Sequence, residues 1–376
     1  MSQGPVILAA GGTGGHMFPA EALARELLDR GRDVVLVTDI RGKAFGDALP
    51  AVRVERIRAA TAAPGIVGKV RMVVELVAGT AQARTLLRSL KPSLVVGFGG
   101  YPSVPTVFAA QQAGIPTVLH EQNAVLGRAN KLLAGKARLI CTSFPEVKGL
   151  GAADGRRIVR TGNPVRPAIL SLRDCPYPAP CHQGPLNLLV TGGSQGASVF
   201  GEVVPRAIAM LPEATRLRLK VVQQARPENI NEARDAYVKM GVDATLAPFF
   251  KDMPDRLAHC HLMIGRSGAG TVAELSVAGR PAILVPYPHA MDDHQAANAK
   301  SIEAAGGAWV MPQNGSFSPE ALARKLEALF ADPHALTEAA KAAASWGIPD
   351  AAQRLADAVL RLVAADGGSG SGEMAA

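Results

Sequence analysis

Three stretches of this chain carry residue types at spacings that can do chemistry. In the first, an apolar run at 6–10 leads into Gly11, Gly12, Gly14 and Gly15. His16 sits at the mouth of that turn, and Pro19 is placed to open a helix that Gly31 closes. Strand, glycine turn and helix N-terminus together make an anion site, because free backbone N–H groups and the helix dipole both favour a diphosphate. The second stretch repeats the device near mid-chain, where 188–191 runs into Gly192-Gly-Ser-Gln-Gly196. The third is Gly265-Arg-Ser-Gly-Ala-Gly-Thr-Val-Ala-Glu274, whose small residues let a ligand approach the backbone. A helix is expected from about Ala269. Glu274 then lies one to two turns in, where a carboxylate can accept hydrogen bonds from the vicinal hydroxyls of a ribose.

Each stretch admits other readings. The first turn departs from the dinucleotide fingerprint, since Met17 replaces the third glycine, and no lysine follows as in a Walker loop; His16 would then merely cap a helix. The second matches G-x-S-x-G, a nucleophile elbow, and Glu274, Asp292, Asp293 and His294 follow in the order a Ser194 hydrolase requires. Against that hydrolase, an equal domain with its own glycine turn precedes the elbow. His16 and the run His120-Glu-Gln-Asn123 would also have no task. A further alternative is a nucleotide-sugar-binding module that catalyses nothing. Pro288-His-Ala-Met-Asp-Asp-His-Gln295 has the look of a metal cluster, but adjacent aspartates at a helix start point apart. Asp292 reads better as an N-cap, and no metal site is expected.

Holding these residues in place takes a parallel sheet in each half. Further strands fit 33–38, 52–57, 94–98, 116–120 and 158–161, then 219–222, 244–247, 262–265, 282–286 and 308–311, with helical patterns between them. The turn at 99–103 and the run at 120–123 fall just past strand carboxyl ends, where open α/β sheets bind ligands. The alternation predicts an α/β protein of two Rossmann-like, doubly wound parallel-sheet domains facing across a cleft. They are expected over 1–164 and 165–346, with the proline-rich 167–185 as the approach to the second. A last helix near 347–364 is expected to pack back on the first domain, and 365–376 to be a disordered tail.

Composition narrows the function classes. At 376 residues, 48% hydrophobic and 19% charged, the chain is globular with material for two cores. No segment holds the ~18 uninterrupted apolar residues of a membrane span, and the N-terminus lacks a basic n-region, so a cytoplasmic protein is expected. A net charge of +8 favours phosphorylated small molecules or an anionic membrane face as partners. With 4% aromatics and no basic run interleaved with them, nucleic acid is not expected. Cys141, Cys175, Cys181 and Cys260 show no CxxC or zinc spacing and read as reduced thiols. Over 66–90, Ile66, Val70, Val73, Val74, Val77 and Ala81 recur with a helical period among Lys69, Arg71, Arg84, Arg88 and Lys91. This is either a solvated helix packed on a sheet or an interfacial helix on an anionic bilayer.

In order and interval, GGTGGH, GGYPS, HEQN, GNPVR, GGSQGA, RSGAGTVAE and DDHQAANA resemble glycosyltransferase family 28, and within it the N-acetylglucosaminyltransferases of peptidoglycan synthesis. The motifs span Gly11 to Asn298, with Gly270 where some members carry leucine. The resemblance implies the GT-B fold with no cofactor or tightly bound metal. It also implies inverting transfer of N-acetylglucosamine from UDP-N-acetylglucosamine to the 4-hydroxyl of the muramoyl sugar of undecaprenyl-diphospho-MurNAc-pentapeptide (lipid I). The products would be lipid II and UDP, in cell-wall biogenesis.

By the same resemblance Ser194 and Arg166 hold the donor diphosphate, so Ser194 is a phosphate ligand. The backbone near Phe250 meets uracil, Glu274 takes the ribose, Ala269 opens the donor-side helix, and Gln295 with Asn298 reads the transferred sugar. Thr13, Gly14, Gly15 and Asn123 reach the donor from the first domain. The acceptor lies on the first glycine turn and on Gly100, Tyr101 and Ser103, with His120 and Glu121 either touching it or holding Asn123. His16 is the expected base, because an imidazole titrates near neutrality, or else it only positions the acceptor. A lipid-tethered acceptor requires docking at the cytoplasmic face of the inner membrane. Val70, Met72, Val73 and Leu76 ringed by Lys69, Arg71, Arg84 and Arg88 suit shallow insertion among anionic phospholipids, and Lys131, Lys136 and Arg138 widen the basic patch. The cell-wall synthesis machinery is a further expected partner.

Overall fold

In the computed structural model the described residues are 4–11, 14–39, 49, 51–59, 65–181, 183–193 and 196–368, without the side chains of 14, 66, 69, 152 and 366–368. The chain divides into two compact units, Met1–Val165 with Asp350–Ala376, and Arg166–Pro349.

Among the described residues the first unit contains β1 (Val6–Ala9), β2 (Val34–Thr38), β3 (Arg53–Arg56), β4 (Leu94–Gly97), β5 (Thr117–Glu121), β6 (Leu139–Thr142) and β7 (Ile158–Arg160). They form one parallel sheet in the order β3-β2-β1-β4-β5-β6-β7. Side chains alternate across a strand, so β1 feeds two cores. Val6 and Leu8 pack with Leu23 and Leu27 of the helix Gly14–Asp29 and with Leu355 and Val359 of the helix Ala351–Gly368. Ile7 and Ala9 pack with Ala83 and Leu87 of the helix Gly65–Leu90 and with Val107 of the helix Val104–Gln112. A sheet covered on both faces needs near-continuous apolar strands, as β1 and β2 are.

The second unit repeats the plan with β8 (Leu186–Thr191), β9 (Leu219–Gln224), β10 (Asp243–Ala247), β11 (Leu262–Gly265), β12 (Ala282–Leu284) and β13 (Ala308–Val310), parallel in the order β10-β9-β8-β11-β12-β13. In each sheet the strand order reverses beside the opening strand, between β1 and β4 and between β8 and β11. Ligands of open α/β sheets bind at such switch points. Among the described residues Gly11, Gly192 and Gly193, and the turns after β4 and β11, lie there.

Several expectations need correction. The first helix starts at Gly14, so His16 belongs to its first turn and Pro19 lies inside it. Pro19 has no N–H for the Gly15 carbonyl, a cost confined to the helix start. β6 was not expected; it is only four residues long and follows the basic Lys136 and Arg138. Residues after Arg166 are part of the second unit and not an approach to it. Arg173 donates to the Ala344 carbonyl at 2.6 Å and the Tyr177 hydroxyl to that of His261 at 2.7 Å. The last helix runs to Gly368, past the expected start of the tail, and 369–376 lie outside the described residues. In the Gly65–Leu90 helix, Val70, Val73, Val74 and Val77 do not pack on the sheet. They are 55–65% exposed, and the core face is instead Gly79, Ala83 and Leu87. A Cβ at Gly79 would collide with the Arg58 carbonyl, which is why a glycine stands there.

Candidate active site

In the first unit His16 joins the two turns at the switch point. Its Nδ1 lies 2.8 Å from Oε1 of Gln122. Gly99 and Gly100 have φ of +80° and +71°, and a Cβ on Gly100 would sit 3.4 Å from His16 Nε2. Gly11 faces Pro102 so closely that a Cβ there would lie 2.6 Å from the proline Cβ. Glycine therefore brings the two backbones and the imidazole together. Tyr101 is half-buried beside them. Ser103 is fully buried and donates its hydroxyl to the Gly100 carbonyl at 2.9 Å, so it stiffens this turn and does not meet an acceptor.

His120 and Glu121 are also behind the surface. Glu121 is 2% exposed, and its carboxylate accepts from the Asn123 and Gly127 amides at 3.0 and 2.9 Å and from Asn130 Nδ2 at 2.8 Å. His120 is fully buried, with Nε2 3.0 Å from the Gly162 carbonyl. Burial is the main cause that brings its pKa down to about 4, so the ring is neutral. Of the two roles expected for this pair, holding Asn123 is the one their burial permits.

In the second unit Gln224, at the end of β9, braces the glycine turn. Its Oε1 accepts from Thr191 Oγ1 and the Gly192 amide, both at 3.0 Å. Its Nε2 donates to the carbonyls of Gly193 and Pro248, both at 3.0 Å. One amide thus ties the turn expected to take the diphosphate to the segment expected to take uracil. Nothing in the sequence reading marked it; its one signal is a polar pair, Gln223-Gln224, ending an apolar strand. Phe250 is buried under the Arg256 guanidinium, 4.6 Å from the ring centroid, and Phe249 is the exposed member of the pair. Arg166 and Glu274 meet in a two-pronged ion pair, Nε to Oε1 at 2.8 Å and Nη2 to Oε2 at 3.1 Å.

The turn after β11 also holds the segment that follows β12. Arg266, 8% exposed, donates to the Val285 and Pro286 carbonyls at 3.0 and 3.1 Å and to Gln313 Oε1 at 2.7 Å. Ser267 donates to the Gln295 carbonyl at 2.8 Å, and Gln295 Oε1 accepts from the Tyr287 amide at 3.0 Å. Asn298 is fully buried and donates to the Ser267 carbonyl at 3.1 Å, so it supports Gln295 and does not itself reach a sugar. Asp293, not Asp292, is the N-cap of the helix His294–Ala304; both aspartates have positive φ, and the Asp293 side chain makes no cap hydrogen bond. The helix Ala269–Val277 starts after Gly268, which offers no side-chain cap, leaving its first N–H groups for a ligand. A Cβ on Gly270 meets nothing within 4 Å.

Thr13 and Ser194 lie outside the described residues, as does the side chain of Lys69. Glu274, an acid the hydrolase reading needs, is engaged by Arg166, and His294 Nδ1 is 2.7 Å from the Met291 carbonyl. The buried thiols of Cys141 and Cys260 are pushed up to about 12, which leaves them protonated and poor nucleophiles. Among the described residues no group of three or more His, Cys, Asp or Glu is placed to hold a metal ion.

Two parallel-sheet units, each with glycines at its switch point, are the architecture of the GT-B fold. Residues 6–142 match the glycosyltransferase family 28 N-terminal domain and 187–355 the family's C-terminal domain. The chain belongs to glycosyltransferase family 28. It is 68% identical over 360 residues to a UDP-N-acetylglucosamine--N-acetylmuramyl-(pentapeptide) pyrophosphoryl-undecaprenol N-acetylglucosamine transferase of Rhodospirillum centenum, covering 96% of this chain and 95% of the relative. A protein of the same name from Paramagnetospirillum magneticum is 53% identical, covering 98% and 100%. The crystal structure of MurG from Acinetobacter baumannii superposes with a TM-score of 0.78 at 30% identity, covering 95% and 99%.

Proposed function

We propose that this protein transfers N-acetylglucosamine from UDP-N-acetylglucosamine to the 4-hydroxyl of the muramoyl sugar of lipid I, giving lipid II and UDP in peptidoglycan synthesis. The observation that carries the reading is that each unit builds a site at its switch point. The second unit offers a braced glycine turn and the Arg166–Glu274 pair, and the first a histidine facing a glycine-cleared turn. The acceptor hydroxyl attacks the anomeric carbon of the α-linked donor, the bond to the UDP oxygen breaks, and the centre inverts to β. His16 takes the hydroxyl proton. The turn amides, the N-terminus of the helix Ala269–Val277 and Arg166 balance the charge left on UDP, while Glu274 takes the ribose hydroxyls and Gln295 the transferred sugar. Gly14, Gly15 and Asn123 serve the donor's sugar end, and Gly100 and Tyr101 the acceptor's diphosphate.

A lipid-borne acceptor calls for a membrane-facing surface, and the Gly65–Leu90 helix supplies one. Val67, Val70, Val73, Val74 and Val77 are 55–82% exposed beside the exposed Arg71, Arg84 and Arg88, and Leu76 is half-buried. This helix packs on Val104–Gln112, which in turn packs on Arg128–Leu133. Those helices add the exposed Phe108, Leu132 and Lys131. Among the described residues no helix is long and apolar enough to cross a membrane. Apolar side chains inserting at headgroup depth, with basic residues each contributing ~1 kcal/mol on anionic lipid, suit peripheral binding to the cytoplasmic leaflet.

The test is transfer of labelled N-acetylglucosamine to a short-chain lipid I analogue, with EDTA present, by wild type and His16→Ala. Turnover in wild type, with kcat lost in the variant while UDP still binds, is expected. No transfer by wild type that binds UDP would overturn the reading.

A further inference from the structure

The hydrogen bonds around His16 decide which of its nitrogens carries the proton. We propose that Gln122 is a positioning residue that fixes the His16 imidazole with its proton on Nδ1, leaving the Nε2 lone pair as the base. This rests on the transfer reading above, which gives His16 a proton to accept.

The amide of Gln122 has one acceptor end and one donor end, and its surroundings allow one orientation. The Phe98 carbonyl can only accept, and it lies 2.8 Å from Gln122 Nε2. The nitrogen must face that carbonyl, so Oε1 faces His16. An oxygen 2.8 Å from Nδ1 requires Nδ1 to carry the hydrogen. His120 agrees with this from the other side. Its Nε2 lies 3.0 Å from the Gly162 carbonyl and must donate, so its Nδ1 is an acceptor. That Nδ1 is 3.4 Å from Gln122 Nε2, close to the second amide hydrogen. Burial keeps the His120 ring neutral, so this acceptor persists through the working pH range. Gln122 itself is 3% exposed and cannot swing into solvent.

The chain of bonds therefore runs from the Gly162 and Phe98 carbonyls through His120 and Gln122 to His16, and every hydrogen in it is assigned. At its open end Nε2 points toward the turn after β4. There Gly100 has no side chain to block a hydroxyl, and any Cβ would sit 3.4 Å from that nitrogen. With the other tautomer Nε2 would carry a hydrogen and accept nothing, while Nδ1 would present its lone pair to an oxygen.

The first experiment needs no variant. Nitrogen NMR of protein labelled in histidine, taken at a pH where His16 is neutral, is expected to show the Nδ1–H tautomer for the resonance that His16→Ala removes. The Nε2–H tautomer would overturn the proposal. The second is a double-mutant cycle with Gln122→Met, close in shape but unable to bond. In wild type it is expected to lower kcat about tenfold or more while KM for UDP-N-acetylglucosamine stays within about twofold. In the His16→Ala background it is expected to change the residual rate by less than about twofold, because a residue acting through His16 has nothing left to position. Equal losses in both backgrounds would assign Gln122 a general structural role and overturn the proposal. The tautomer is read without turnover, so failure of wild type to transfer sugar would count against the function and leave this measurement standing.

Discussion

Arg166 and Glu274 grip each other through two hydrogen bonds, Nε to Oε1 at 2.8 Å and Nη2 to Oε2 at 3.1 Å, although 108 residues separate them. Arg166 opens the second unit, and Glu274 stands on the helix that follows β11. The pair fixes a carboxylate and a guanidinium side by side at the place proposed for the donor's ribose and diphosphate.

Glu274→Gln keeps the shape but loses the charge that grips Arg166 and the second strong acceptor for a ribose. UDP binding is expected to weaken about tenfold or more, since hydrogen bonds to charged groups contribute ~1.5–3 kcal/mol. The melting temperature is expected to move little, because an ion pair whose side chains are 37% and 21% exposed is screened by solvent. Calorimetric titration with UDP and a thermal melt check the two halves; unchanged UDP affinity would remove Glu274 from the donor site.

Gly100→Ala tests the approach of the turn to the imidazole. At φ +71° and ψ +153°, a region essentially reserved to glycine, another residue costs on the order of 1–3 kcal/mol, and the new Cβ would lie 3.3 Å from His16 Cδ2. The expected result is a fall of about tenfold or more in kcat for sugar transfer, with UDP affinity little changed because the groups proposed to hold uracil and ribose lie in the second unit. A variant with wild-type kcat would show that the turn does not need this clearance.

Buried His120 sets a pH dependence with a definite sign. Its pKa is brought from 6.5 down to about 4 in the fold, so between these values the unfolded chain binds the extra proton. Stability is then full above about pH 6.5 and falls as the pH drops toward 4, by on the order of 3 kcal/mol at the limit. Urea unfolding of wild type and His120→Asn between roughly pH 4.5 and 7, the window the two pKa values bound, is expected to show a shallower acid slope in the variant. Equal slopes would mean that the imidazole is not the group responsible.

The membrane surface is tested by flotation with vesicles of phosphatidylglycerol and phosphatidylethanolamine. Changing Arg71, Arg84 and Arg88 to serine is expected to cut vesicle binding by about tenfold or more and to flatten its loss with salt, because the binding that remains is mainly apolar. Val70→Ser with Val73→Ser is expected to reduce binding while leaving its salt dependence in place, because the arginines remain. Equal flotation of wild type and both variants would place docking elsewhere.

What the sequence by itself determined is what local chemistry encodes. Apolar runs ending in glycines mark β1, β8 and β11, since a strand buried on both faces must be apolar and a ligand turn must be small. The restarted alternation near Leu188 announces a second sheet. The RSGAG run places Glu274 on a helix by spacing alone. Tertiary structure decided which polar residues face a ligand and which face the protein. His120, Glu121, Ser103 and Asn298 sit in motifs that look like binding residues, yet each is buried and hydrogen-bonded to backbone groups or to the side chains of Asn130 and Gln122. Gln122 and Arg266 stand in quoted motifs without a role of their own, and Gln224 stands in none, because their partners, among them Phe98, Gly192 and Val285, lie on neighbouring strands and turns. The valines of the Gly65–Leu90 helix follow the same rule in reverse. Their period reads as a core face, and only the position of the sheet, under Ala83 and Leu87, leaves them exposed. Hydrophobic period and glycine spacing are properties of neighbours in the chain, whereas burial and hydrogen-bond partnership depend on which strands lie side by side.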